Sequence, residues 1–260
     1  MGFSPKINLH LHSTFSMDSE FKPEDIVRRS IDAGVKVIAF TDHIDFNPKD
    51  GSYGFYDYKK ARETVFALRE KFGKDLNILF GGEVGYESIR DSEIRQYLKN
   101  KEFDFLIGSL HDVEDEIIKI WVPMVEKKRK GRIYKPYYDE MYHLVESGLF
   151  NVMGHFDYYK KYSNNPEEAR QLWVDYTEEI RNIFMLALER NMVLEINTSG
   201  LRQAPKEQYP AEGIVKLYKE MGGSYVSIGS DAHRPDHLMF GLERGYKIIK
   251  KYGLKIWGGE

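Results

Sequence analysis

An α/β barrel, incomplete or distorted, is the fold this sequence predicts, and three observations predict it. Seven short apolar runs recur along the 260 residues, amphipathic segments of helical period separate them, and no stretch reads as a linker or low-complexity insert. Strand and helix alternating in one chain imply parallel strands joined by right-handed crossovers. Seven such units favour a barrel over an open sheet, and a single domain over residues 1–260 rather than two small ones.

The predicted strands are Ile7 to His12, Val35 to Thr41, Leu76 to Glu83, Phe103 to His111, Asn151 to His155, Met192 to Asn197 and Tyr225 to Asp231. The clearest helix runs roughly from Pro166 to Asn191, with Leu172, Tyr176, Ile180, Ile183 and Ala187 on one face. Pro166, Glu167 and Glu168 suit its first turn. A last helix near Asp236 to Tyr252 carries Leu242, Tyr246 and Ile249, and Lys255 to Trp257 reads as a short closing strand. Two connections are long. Ile44 to Tyr58 holds Phe46, Tyr53, Phe55, Tyr56 and Tyr58, an aromatic loop able to cover a ring such as imidazole. Asp112 to Pro136 holds Trp121, Tyr134 and the basic run Lys127-Lys128-Arg129-Lys130, which reads as solvated surface. Both should emerge on the C-terminal rim, where barrel enzymes carry their chemistry.

Composition narrows the function. Hydrophobic residues make up 42% and charged residues 30%, with a formal net charge of −3, which argues against a general nucleic-acid or membrane-surface binder. The absence of cysteine excludes disulfides, thiolate zinc sites and cysteine nucleophiles. The N-terminal segment lacks the apolar core of a signal peptide, and no apolar run reaches membrane-spanning length, so a soluble, cytoplasmic protein is expected.

Six of the eight histidines fall at the C-terminal ends of predicted strands: His10, His12, His43, His111, His155 and His233. Glu83 ends the third strand, and Asp231 stands just ahead of His233. In a parallel barrel all these ends share one rim, so residues distant in sequence converge. His10 and His12 lie two apart on a strand and face the same side; Asp231 and His233 repeat the spacing. So many imidazoles beside carboxylates, without thiolates, point to zinc, iron or manganese. Asp18 in the first loop is a further candidate ligand, or else a helix cap. Asp42 faces away from the site on an extended strand and suits a supporting position. Arg202, Lys160 and Lys161 follow strand ends on the same rim and suit phosphate oxygens. His143 and His237 sit in helical segments and are not expected to bind metal.

His10-Leu11-His12, Thr41-Asp42-His43, Gly82-Glu83, Gly108-Ser109-Leu110-His111, Gly154-His155 and Gly229-Ser230-Asp231-Ala232-His233 resemble, in order, the motifs of the polymerase and histidinol phosphatase (PHP) superfamily. The segments Gly154-His155-Phe156-Asp157 and Glu195 to Arg202 look most like its histidinol-phosphate phosphatases. The resemblance implies a distorted seven-stranded (β/α) barrel, TIM-like in plan, holding three divalent ions. One would be held by His10, His12, Glu83 and Asp231, a second by Glu83, His111 and His155, and a third by Asp18, His43 and His233. Lys160 and Lys161 occupy the region where the family often carries a phosphate-holding arginine.

The reaction expected is hydrolysis of a small phosphorylated metabolite, most simply L-histidinol phosphate of histidine biosynthesis, by a hydroxide bridging the metal ions. Arg202 would stabilise charge on the phosphoryl oxygens, and Asp157 and His233 are the candidates to protonate the leaving alkoxide. Other phosphoesters, nucleic acid among them, and C–N bond hydrolysis of the barrel amidohydrolase kind stay open at this point, as does a non-catalytic metal-binding module. The oligomeric state is open as well.

Overall fold

The computed structural model describes residues 6–128 and 131–258. Of the basic run that begins at Lys127, residues 129 and 130 lie outside the described part. In chain order the elements are β1 (Ile7–Leu11), α1 (Pro23–Asp32), β2 (Val37–Phe40), β3 (His43–Ile44), α2 (Tyr58–Phe72), β4 (Asn77–Gly85), α3 (Asp91–Leu98), β5 (Phe105–Ser109), β6 (Asp112–Val113), β7 (Glu116–Ile117), α4 (Ile118–Lys128), α5 (Lys135–Ser147), β8 (Val152–Met153), α6 (Pro166–Ala169), α7 (Thr177–Glu189), β9 (Val193–Asn197), α8 (Glu212–Glu220), β10 (Tyr225–Gly229), α9 (Leu242–Lys251) and β11 (Lys255–Ile256).

The strands pair in parallel in the order β1-β2-β4-β5-β8-β9-β10-β11, with β3 a short extension beside β4. The seven predicted strands are all present, and β11 is the short closing strand. β1 and β9 are buried throughout, their polar members Asn8, His10, Glu195 and Asn197 included, because a parallel strand covered by helices has no solvent side. The sheet curls until its two flanks meet at the C-terminal rim. There Leu11 and Ala232 form a parallel bridge, and the His12 N–H donates to the Ala232 carbonyl at 3.0 Å. At the opposite end β10 pairs with β11, and the Ile7 N–H of β1 donates to the Tyr246 hydroxyl on α9 at 2.8 Å. The result is a distorted (β/α) barrel of seven principal strands, drawn together where the histidines are and spread apart where they are not.

Gly229 permits that closure. A Cβ there would stand 2.2 Å from the Cβ of His10, so only glycine lets β10 approach β1 this closely. Helix ends follow the local rules. Asp57 caps α2 by accepting the Lys60 N–H at 3.1 Å, Pro23 opens α1, and α5 stops at Gly148 with φ 67°.

The sequence misleads at one helix. The segment expected as one helix from Pro166 to Asn191 is α6, a 3₁₀ turn over Leu172–Tyr176, and then α7. Tertiary contacts break it. Tyr176 stacks on Tyr138 at 4.9 Å and its hydroxyl accepts the Tyr134 N–H at 2.8 Å, while the Trp173 ring lies against Gly213. The final helix is shortened likewise, with Pro235–His237 forming a separate 3₁₀ turn before α9. Within the long Asp112–Pro136 connection the described residues form the β6–β7 hairpin and α4, anchored by the fully buried Trp121, whose Nε1–H donates to Glu114 at 2.9 Å. Among the described residues no helix is long and apolar enough to cross a membrane.

Candidate metal centre

Period-2 alternation at the end of β1 turns His10 and His12 inward together, and both are fully buried. Glu83 meets them from β4. Its Oε2 lies 3.4 Å from His10 Nε2, 3.5 Å from His12 Nε2 and 2.9 Å from His43 Nδ1. Its other oxygen, Oε1, lies 2.8 Å from His155 Nε2 and 3.5 Å from His111 Nε2, and accepts the Ser109 hydroxyl at 2.7 Å. One carboxylate thus divides the histidines into two groups. Asp231 follows β10 with φ 52°, a left-handed backbone that a non-glycine residue holds only under constraint. The constraint is its own N–H donating to the His10 carbonyl at 2.9 Å, which sets its Oδ1 3.3 Å from His12 Nε2. Asp18 stands on the outer side, 3.2 Å from His233 Nε2 and 3.7 Å from His43 Nε2.

All nine expected ligand residues therefore gather at one rim. Three sets of donor atoms lie within 4.8 Å of one another: His10, His12 and Glu83; His43, Glu83 and His111; and His12, His43 and His233. His10 Nε2, His12 Nε2, His43 Nδ1 and Glu83 Oε2 are buried without a hydrogen-bond partner among the described residues. Orphaned buried donors of this kind are costly unless a cation takes them up, so the residues fit divalent metal ions.

The imidazoles are held from behind. His10 Nδ1–H donates to Glu195 Oε1 at 2.6 Å, and the other Glu195 oxygen accepts the His155 N–H at 2.7 Å. His111 Nδ1–H donates to Asp45 Oδ1 at 2.7 Å. His12 Nδ1 is 3.0 Å from the Ser16 hydroxyl, which donates to Asp42 at 2.9 Å. Carboxylate–histidine pairing of this sort fixes which nitrogen is free to meet a metal. Asp42 thus takes the supporting position expected of it. The roles of Glu195 and Asp45 were missed. Asp45 carries a signal, two residues after His43; Glu195, a lone glutamate in the run Val193 to Ile196, carries none until it is seen beside His10.

Electrostatics agree. Burial would lower the imidazole of His10, but Glu195, Glu83 and Asp231 outweigh it and hold it well above the ordinary histidine range. Burial likewise works against His43, yet Glu83, Asp45 and Asp18 raise it to about 9. Burial pushes Glu83 upward, and His10, His111 and His43 bring it well below the carboxylate range. His12 goes the other way, lowered by burial with His233 and His43 beside it. The cluster strongly attracts positive charge, and protons and metal ions compete for the same nitrogens.

A cavity of about 360 Å³ opens above these groups, lined also by Tyr158, Lys161, Arg202, Gln203 and His237. Arg202 donates to the carbonyls of Ser230, at 2.7 Å, and Asp231, which fixes its guanidinium over the Asp231 turn. Lys161 donates to the Tyr158 hydroxyl. Two expectations fail. Lys160 is not on the cavity wall: it is fully buried, with Nζ 2.8 Å from Asp157, 3.0 Å from Glu207 and 2.9 Å from the Gln208 carbonyl. Asp157 is the partner that draws it inward, and its Oδ2 also accepts the Ala211 N–H at 2.9 Å, so this carboxyl serves the fold and does not reach the cavity. The expected aromatic cover is also displaced. Tyr53 and Phe55 are each 48% exposed and absent from the cavity walls, whereas Tyr158 stacks on His155 at 4.1 Å. His143 is exposed beside Glu146, away from the site.

Comparison with known proteins places this geometry. The PHP domain model matches residues 8–199. The histidinol-phosphatase of Lactococcus lactis is 27% identical over 251 residues, covering 95% of this chain and 91% of that protein. A Thermotoga maritima protein named as a probable histidinol-phosphatase is 26% identical, over 96% of this chain and 93% of its own length. The crystal structure of the L. lactis histidinol phosphate phosphatase, complexed with zinc, L-histidinol and phosphate, superposes with a TM-score of 0.83 at 25% identity, covering 96% of this chain and 95% of that one. With motifs, ligand geometry and family model in agreement over most of its length, the chain belongs to the PHP domain family.

Proposed function

We propose that this chain is a metal-dependent phosphomonoesterase that hydrolyses L-histidinol phosphate to L-histidinol and phosphate, acting as one PHP unit in the cytoplasm within histidine biosynthesis. The observation that carries the reading is the convergence of unpartnered Nε2 atoms of His10 and His12 with Glu83 Oε2, beneath a cavity that also presents Arg202 and Lys161. The near full-length similarity to histidinol-phosphatases supplies the substrate.

Three sites are assigned: His10, His12, Glu83 and Asp231; Glu83, His111 and His155; and Asp18, His43 and His233. Zinc, manganese and iron all suit these nitrogen and oxygen donors. Such ions, when bound, polarise phosphoryl oxygens and activate water as the nucleophile. The chain does the rest. Glu195, Asp45 and the Ser16–Asp42 pair orient the imidazoles. Arg202 and Lys161 present positive charge to the phosphoryl group, where it lowers the barrier to charge build-up.

The leaving alkoxide needs a proton. Asp157 lies outside the cavity, and His233 turns Nε2 toward Asp18 while its Nδ1 faces the Asp231 carbonyl at 3.1 Å. One nitrogen cannot both hold an ion and release a proton, so His233 serves as ligand. The Lys161 ammonium, hydrogen-bonded to Tyr158 on the cavity wall, is the assigned proton source.

Phosphate release from L-histidinol phosphate by zinc- or manganese-loaded protein, against a panel of simple phosphate esters, tests the reading. A strong preference for histidinol phosphate is expected. Turnover of other esters alone would leave the metal chemistry standing and discard the substrate.

A further inference from the structure

A second cavity, of about 230 Å³, adjoins the first and shares Asp18, His43, His111, Tyr158 and Lys161 with it. Its other walls include residues that are assigned to no metal site. Asp50 and Ser52 belong to the loop after β3, Met17 to the loop after β1, Ile117 to the end of the β6–β7 hairpin and Ile118 to the start of α4.

The chemistry of these walls is mixed in a specific way. Tyr158 and Tyr162 meet edge to face at 5.7 Å and 88°, and with the two isoleucines and Met17 they offer surfaces for a flat ring. Three carboxylates border the space, but two are engaged. Asp45 holds His111 at 2.7 Å, and Asp18 faces His233 and His43. Asp50 differs. Its Oδ1 accepts the Ser52 N–H at 2.7 Å, which fixes the side chain, and its Oδ2 takes no hydrogen bond among the described residues. A half-buried carboxylate locked in place with one oxygen free is suited to a cation. The neighbouring cations do not fill that role: Lys161 is held by the Tyr158 hydroxyl, and Lys119 is exposed on a long stem that stays in water.

We propose that this cavity receives the alcohol portion of the substrate and that Asp50 is the specificity-determining residue, pairing with its ammonium group. The inference rests on histidinol phosphate as substrate. That molecule carries its phosphate, its primary ammonium and its imidazole ring as three separate recognition points. With the phosphoryl group at the metal cluster beside Arg202 and Lys161, the shared wall of Tyr158 and Lys161 directs the remainder into the second cavity. There the imidazole meets the tyrosine rings and the ammonium meets Asp50.

The test compares L-histidinol phosphate with 3-(imidazol-4-yl)propyl phosphate, which keeps ring and phosphate and lacks only the ammonium. Both are assayed with the metal-loaded full chain and with Asp50→Asn, whose amide can still accept the Ser52 N–H. The wild type is expected to favour histidinol phosphate by kcat/KM on the order of tenfold or more, mainly through KM. In Asp50→Asn that preference collapses toward unity, while thermal melting and metal content stay with the wild type. An Asp50→Asn enzyme that keeps the preference, or a wild type that cleaves both compounds equally well, overturns the role of Asp50 and leaves the substrate reading intact. A wild type that cleaves simple esters and ignores both imidazole compounds overturns the substrate reading, and this inference with it.

Discussion

The floor of the site and its wall are built by different means. The floor consists of residues at strand ends: His10 in β1 and His12 just after it, Glu83 in β4, His111 after β5, His155 after β8 and Asp231 after β10. Backbone pairing sets their positions to within the register of the sheet, and each has at least one partner holding it from behind or beside. The wall consists of residues between the strands and long helices, placed by their own contacts: Asp50 by the Ser52 N–H, Lys161 by the Tyr158 hydroxyl, and Arg202 by the Ser230 and Asp231 carbonyls. The contrast teaches that one rigid floor fixes the reaction, while substrate choice is left to segments free to differ without disturbing it.

If that division is right, the largest effect comes from the floor. Glu83→Ala removes the one carboxylate that faces both histidine groups, with His10 and His12 on one oxygen and His155 on the other. Phosphatase activity is expected to fall to background and bound metal, measured by elemental analysis, to fall with it. A variant that kept its metal and its activity would end the three-site assignment.

One step back from the floor, Glu195→Gln keeps the shape but weakens the grip on His10 Nδ1 and on the His155 N–H. Losses of about 10- to 100-fold in metal affinity or activity are expected, as for other carboxylates behind metal-bound histidines. Chelator competition reads this directly. An equal loss of kcat/KM with metal affinity unchanged would show that Glu195 acts on substrate instead.

Lys160 and Lys161 sharpen the comparison because they are adjacent and belong to different regions. Lys160→Met strands Asp157 and Glu207 beside a buried hole, so the expectation is a stability loss of about 3 kcal/mol in denaturant titration. Any effect on the Michaelis constant should be secondary. Lys161→Met should do the reverse, lowering kcat/KM roughly tenfold or more with little change in melting. If both variants behaved alike, the separation of fold from wall at this turn would be lost.

This pair also shows how far the sequence could be read. The cluster of candidate ligands, Asp18 in the first loop apart, was legible because strand alternation and strand ends follow from local pattern, and parallel topology then forces the ends onto one rim. His10-Leu11-His12 needed nothing more. Lys160 and Lys161 have the same local signal, two lysines after a strand, and only tertiary packing against Glu207 and the Gln208 carbonyl sends one inward. The broken helix at Leu172–Tyr176 fails for the same reason, since Tyr134 and Tyr138 lie far from Tyr176 in sequence. Glu195 was hidden differently. As a lone glutamate on an apolar strand it carries no period of its own, and its meaning appears only beside His10.

The smallest expected effect concerns the aromatic loop after β3. Five rings in fifteen residues suggested a cover for the substrate, yet Phe46 is buried in the core and Tyr53 and Phe55 point into solvent. What the loop gives the site is Asp50 and Ser52, the polar members between those rings. Replacing Tyr53 and Phe55 together by alanine removes two exposed side chains, and surface changes of this kind move stability by no more than about 0.5 kcal/mol. The double variant should therefore keep kcat/KM for histidinol phosphate within roughly twofold of the wild type. A KM raised more than tenfold would mean that the loop folds its rings over the bound alcohol, and the wall would then include a part that assembles only with substrate present.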